Sequence, residues 1–135
     1  MANSPLIYDA STEAMINAFT ALLNNGTLQV YSGSQPAVDG GLSGTLLATM
    51  TFGATAFANA VASGSGGSAA ANTITSGNAG NTNTAGYFAL VTSGSATVGT
   101  GSVGTSGADL NFNTLAIVSG AIVSCTSFTV TMPQT

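Results

Sequence analysis

Eight side chains carry nearly all the acid–base and nucleophilic chemistry this 135-residue chain can offer: Asp9, Glu13, Asp39, Asp109, Tyr8, Tyr31, Tyr87 and Cys125. No Lys, Arg or His accompanies them. Without histidine neither a Ser–His–Asp nor a Cys–His arrangement can form. The one thiol has no cationic side chain to stabilise its thiolate, so Cys125 reads as a small buried hydrophobe of the last strand. Acid–base catalysis would rest on four scattered carboxyls and three phenols. We therefore expect no enzymatic activity, and no catalytic, cofactor-binding or metal-ligating residue. Phosphate backbones and anionic membranes are bound through Lys and Arg, so neither nucleic acid nor a membrane is an expected partner.

The remaining motifs have ordinary explanations. Gly101, Gly104 and Gly107 have G-x-x-G-x-x-G spacing, but a nucleotide cradle needs G-x-G-x-x-G or a Lys-bearing loop between strand and helix. Tight turns are expected there instead. Asp109, in GADLN, reads as a turn-capping side chain rather than a calcium ligand. Asn25-Gly26-Thr27 has the form of a glycosylation acceptor, without a secretory signal to give it meaning. Thr-x-Thr pairs begin at Thr49, Thr73, Thr82 and Thr129, spaced 24, 9 and 47 residues apart. An ice-binding solenoid requires a fixed period, and this is none.

Only 3% of residues are charged, whereas 44% are apolar. A solvated disordered chain has the opposite balance, and a freely dispersed monomer ordinarily carries more charge. Neighbouring proteins are thus expected to cover much of the surface. The length suits one domain with its own core, residues 1–135, which begins with an extended arm at residues 1–8. No apolar run reaches the roughly 18–20 residues of a membrane span. Residues 1–7 lack the basic region and apolar block of a secretory signal, so synthesis in a cytoplasm is expected.

The elements that must position these residues are mostly strands. A helix is expected at residues 11–24, capped by Ser11 or Thr12, with Glu13 in its first turn and Gly26 just past its end. Met15, Ala18, Phe19, Leu22 and Leu23 recur at helical spacing and form its expected inner stripe. Strands follow at residues 27–32, 45–52, 57–62, 85–92, 96–103, 109–112 and 121–132. In the second, Leu46, Ala48, Met50 and Phe52 should share a face. In the last, Ile122, Phe128, Val130 and Met132 should face one way and Ser127, Thr129 and Thr131 the other, with Pro133 ending it. Residues 33–44 read as a loop. Residues 63–84, nearly all Gly, Ser, Ala, Asn and Thr, read as a long connection with a short strand at 72–75. So many short strands imply a sandwich or barrel.

Five segments carry a family likeness: GTLQVYSGSQP (26–36), GTLLATMTF (44–52), TAGYFAL (84–90), GSVGTSGADLN (101–111) and VSCTSFTVTMP (123–133). In this order they resemble small virion structural proteins of tailed phages and prophages, most of all capsid cement (decoration) proteins. The chain departs from the family after residue 85, where AGYFALVTSGS replaces a more charged stretch. The resemblance implies an all-β, jelly-roll-like β-sandwich with one short N-terminal helix. It also implies a place on the capsid outer surface over the lattice of major capsid protein. The expected partners are that protein and the chain itself as a homo-oligomer, a dimer favoured over a trimer. The expected contact segments are residues 2–8, 33–43 and 64–84. The alternative is a receptor- or glycan-binding module of a tail or fibre. Lacking Lys and Arg, the chain should survive pure trypsin uncut, native or denatured; a cleavage product on a mass spectrum would contradict this.

Overall fold

The computed structural model describes residues 7–62, 66–112, 114–125 and 127–133. Of the expected arm, only Ile7 and Tyr8 fall among them. In chain order the elements are a helix α1 (Asp9–Ala21) and strands β1 (Thr27–Ser32), β2 (Leu46–Phe52), β3 (Val61–Ala62) and β4 (Gly66–Ala70). Then come β5 (Ile74–Thr75), β6 (Gly77–Asn78), β7 (Asn83–Val91) and β8 (Thr97–Gly104). The chain closes with β9 (Leu110–Asn111), β10 (Ala116–Ile117), β11 (Ile122–Val123) and β12 (Thr129–Pro133). It is an all-β chain with one short N-terminal helix, in agreement with the expected class.

The larger sheet runs β5–β2–β1–β7–β8–β9, with β10 paired to the start of β7. Its centre is where the sequence alternates most clearly. Leu28 lies between Met50 and Leu90, and Val30 between Ala48 and Phe88, so one face of three antiparallel strands is continuously apolar. All these residues are buried. A second layer is built from β12–β4–β3, and the short pair β11–β6 lies along β2 of the larger sheet. Four rings cross the gap between layers. Phe52 meets Phe57 at 5.6 Å, Phe57 meets Phe128 at 6.1 Å, and Phe128 stands edge-on to Phe88 at 5.4 Å. Such geometry suits the aromatic quadrupole and adds to the gain from burial.

Four expectations need correcting. The helix starts earlier, with Tyr8 at its N-cap and no side-chain cap. The Tyr8 carbonyl accepts from the Ser11 and Thr12 amides, and Thr12 Oγ1 turns inward to donate to the Asp9 carbonyl at 2.8 Å. Asp9, not Glu13, is the first-turn anion. The buried stripe is Thr12, Ile16, Thr20 and Leu23, while Met15 and Leu22 are exposed and Phe19 half-buried. The helix is rotated because it closes one end of the sandwich. Ile16 and Thr12 stand 3.1 and 3.2 Å from where a Cβ on Gly67 of β4 would sit, and Phe19 is 3.7 Å from the same point on Gly99 of β8.

Secondly, residues 63–84 are not simply a connection. Their described part contains β4, β5, β6 and the start of β7. GGSAA shows no hydrophobic alternation, yet β4 is the middle strand of its sheet, because its lack of bulk lets the helix press against it. Thirdly, residues 121–132 are not one strand. β11 pairs with β6 and β12 with β4, and the chain changes partner between them. The inward parity shifts with it: Val123 and Cys125 are buried and Ile122 is exposed, then Phe128 is buried. Fourthly, Leu47 is fully buried and Leu46 partly exposed, because a bulge opposite Val30 and Tyr31 adds a residue at Leu47. Replacing Phe128 with Ala removes the ring shared by both layers. It should cost about 3–5 kcal/mol of unfolding free energy, read as a lower urea midpoint with an unchanged transition slope.

Candidate interaction surfaces

The acids do not converge. Asp9 and Glu13 lie on α1, Asp39 in the 33–44 loop with φ 61°, and Asp109 in the turn between β8 and β9. Among the described residues no three of His, Cys, Asp and Glu come together as metal ligands would. Asp109 is a structural clasp: its carboxylate accepts from the Ser102 amide at 3.0 Å and from the Ser102 hydroxyl at 3.2 Å. This holds the turn that lets β9 lie parallel to β8 after only a short excursion. The G-x-x-G-x-x-G glycines fall on β8 and this turn, where Gly107 takes φ 72°, so no helix follows them as a phosphate loop would require.

Two of the three phenols are engaged too. Tyr31 and Tyr87 stack at 5.3 Å and 8°. The Tyr87 hydroxyl donates to the Ser43 carbonyl at 2.6 Å and accepts from the Ser43 amide at 3.0 Å, which anchors the far end of the 33–44 loop. Burial, reinforced by Tyr87, pushes the Tyr31 phenol above its ordinary range. Cys125 is buried between β11 and β12 rather than within a strand, and donates to the Ser127 carbonyl at 3.2 Å. Burial pushes its thiol up as well.

What the molecule offers outward is apolar and neutral. One surface is the outer side of α1, where Met15 and Leu22 are exposed beside Ala10, Ala14, Ala18 and Ala21, with Tyr8 81% exposed just before it. A second is a groove of about 380 Å³ along β10 and β11, lined by Phe112, Ile117, Val118, Ile122 and Cys125. Ile122 is 74% exposed at its rim. The sequence signal for this groove was LAIV followed by Ser-Gly at residues 115–120, a short apolar run before a turn. A third is the 33–44 loop, which carries Val38 92% exposed. It overhangs a cleft of about 600 Å³ against residues 97–100, where Gln35 Nε2 donates to Thr100 Oγ1 at 3.1 Å. Of the expected contact segments, 33–43 is such a surface. Within 64–84, residues 66–70 instead form the central strand of the second sheet, and residues 77–81 line the outer edge of β2.

No protein-family model, no curated protein and no solved structure matches this chain.

A thiol and a phenol that are held protonated by burial both bind protons more tightly folded than unfolded. Their stabilising effect is complete below the unfolded pKa values, about 8.5 for Cys and 10 for Tyr. It is lost as pH rises through that range, because the unfolded chain ionises first. The melting temperature should therefore fall above about pH 8.5. A thiol reagent should label Cys125 slowly in the native protein and at once in denaturant; equal rates would contradict its burial.

Proposed function

We propose that the chain is a non-enzymatic virion structural protein of the capsid cement (decoration) kind. It lies on the capsid outer surface, held to the lattice of major capsid protein and to copies of itself. The observation that carries this reading is the exterior: large apolar side chains (Val38, Ile122, Val118, Leu22 and Tyr8) stand outward on a surface with no cation at all. They stand on the 33–44 loop, the β10–β11 groove and the outer side of α1, and give each of these faces an apolar group for contact with another protein. Each large side chain that becomes fully covered contributes about 1.5–3 kcal/mol. The resemblance of the five sequence segments to phage cement proteins supplies the class of assembly.

Cementing of this kind acts by mass action. A protein that binds only the assembled shell stabilises it against opening, by an amount that grows with its free concentration. The chain needs no chemistry for this, only surfaces that fit the closed lattice.

The fibre-module alternative draws support from the cleft beneath the 33–44 loop, which Gln35, Asp39, Thr97 and Thr100 line with polar groups. That cleft has no aromatic side chain on which a sugar ring would stack. Tyr87 is buried and Tyr31 stacks on it, so neither supplies that platform. The cement reading is therefore the better supported.

Contacts made without cations on this side depend little on salt. Exposed ion pairs with its four acids would contribute only about 0–1 kcal/mol each. Attachment to empty shells should persist from low salt to about 1 M, where the screening length is about 3 Å. Shells lacking the protein should open at lower temperature. Detachment in moderate salt, or equally robust bare shells, would overturn the cement reading in favour of the fibre module.

A further inference from the structure

β12 stands at the end of its sheet, in the order β12–β4–β3, and no other described strand pairs with its outer side. The phase of its hydrogen bonds follows from its neighbours. The Ala71 amide donates to the Phe128 carbonyl, while the Ala70 carbonyl accepts from Ala58 on the opposite side of β4. Antiparallel pairs alternate in which edge their amides face. With Thr129 opposite Ala70, Val130 opposite Ala69 and Thr131 opposite Ser68, the backbones of Val130 and Met132 bond to β4. Those of Thr129 and Thr131 therefore point outward. This gives two outward N–H groups and two outward carbonyls along one edge.

Natural edge strands are usually protected by Lys or other charges, by Pro or by a bulge. Here the sequence is TVTMP, and no acid follows Asp109 anywhere in the chain. Only Pro133 interrupts the edge, at its far end. The side chains also suit a partner strand. Thr129 and Thr131 lie exposed on the outer face, and Val130 and Met132 pack partly buried against the core.

We infer that the occupant of this edge is β12 of a second copy, running antiparallel across a two-fold axis that passes beside Val130. In that register Thr129 of each copy faces Thr131 of the other. Both outward amides of each copy then find a carbonyl, giving four hydrogen bonds, and Pro133 is not asked to donate. Thr–Thr pairs directly across strands are favourable. Val130 meets Val130 of the second copy on the inner face, extending the three-stranded sheets into one of six. The interface is isologous, so the same short strand supplies both sides and the assembly closes as a dimer. A charged edge would repel its own copy here; this one has nothing to repel. The inference deepens the self-association in the proposed function, and it is read on purified protein without shells, so the two stand or fall separately.

The test combines association and register. Sedimentation equilibrium of the full chain should show a monomer–dimer equilibrium insensitive to salt. Thr131→Pro removes an amide that the chain's own sheet does not use, which an edge strand tolerates. It deletes two of the four hydrogen bonds and should weaken dimerisation about a hundredfold. Circular dichroism should remain that of the wild type, and Thr131→Val, which keeps the amide, should dimerise normally. In a Cys125→Ala background, Val130→Cys should cross-link to itself on mild oxidation, because a non-hydrogen-bonded pair sets Cα atoms about 4.5 Å apart, within disulfide reach. Thr129→Cys, which faces Thr131, should not. A wild-type monomer at all concentrations, or dimerisation of a folded Thr131→Pro, would overturn the inference. So would cross-linking through Thr129 rather than Val130. If the wild type is monomeric and Thr131→Pro loses only its shell attachment, the edge belongs to a different chain and self-pairing is wrong.

Discussion

The ring of Phe128 is where the two layers become one structure. It meets Phe57 on its own side of the sandwich and stands at 88° to Phe88 on the other. Because the chain has no cation, no ion pair between side chains can join the sheets. Burial and backbone pairing must do all of it. Phe52, Phe57, Phe88 and Phe128 are among the bulkiest groups of the core, and the aliphatic rows from β1, β2 and β7 pack around them. The helix that closes one end, through Ile16, and the edge strand β12, through Val130 and Met132, pack against the same core.

Small residues decide how closely the rest can approach. Gly67 lets Ile16 and Thr12 settle onto β4, and a side chain there would push the helix away. Gly86 faces the Gly33 carbonyl so closely that any Cβ would collide with backbone, at the point where the register between β1 and β7 shifts. Bulges of this sort bend a sheet and sharpen its twist, and the cost of glycine is repaid by a close backbone approach that no larger residue allows. The high Gly and Ala content is thus a packing device. It is also why the outer side of α1 is smooth, with alanines between Met15 and Leu22.

The sequence was most legible where a strand is half buried within one sheet. The alternation Leu28–Val30 located β1, since side chains must alternate about a sheet that has one core face. The apolar run at 85–92 located most of β7, which is buried on both faces from Tyr87 to Val91. The reading failed where that condition lapses. β4 has no bulky residue to alternate, and its burial comes from a helix distant in sequence. The stretch from Ile122 to Met132 changes sheets, so the parity that held for Phe128 was wrong for Ile122. On α1 both faces are apolar enough to form a stripe, and the one that turns inward is set by the strands it packs on, β4 above all. Of the surfaces, the 33–44 loop was visible in its Pro and Gly content. The β10–β11 groove was not, because an unbroken strand over 121–132 puts Ile122 on the same face as the buried Phe128.

A neutral exterior also changes how specificity must arise. Most interfaces reject wrong partners partly by like-charge repulsion or by unpaired buried charges. A chain with four acids and no base has little of either. What it can use is direction and phase: an edge amide accepts only a strand whose carbonyls fall in step with it, and an exposed Ile122 or Val38 rewards only a surface with a matching hollow. Such contacts are short-ranged, so they guide encounter poorly and act chiefly by slowing dissociation. On the proposed capsid reading this is the suitable kind of contact, since the partners there would already be held in a fixed lattice at high local concentration. Weak contacts repeated on several faces then combine through effective concentration rather than through any single strong site. The absence of cationic side chains, which leaves the proposed β12 edge without like-charge repulsion, would also leave the proposed attachment to a shell indifferent to salt.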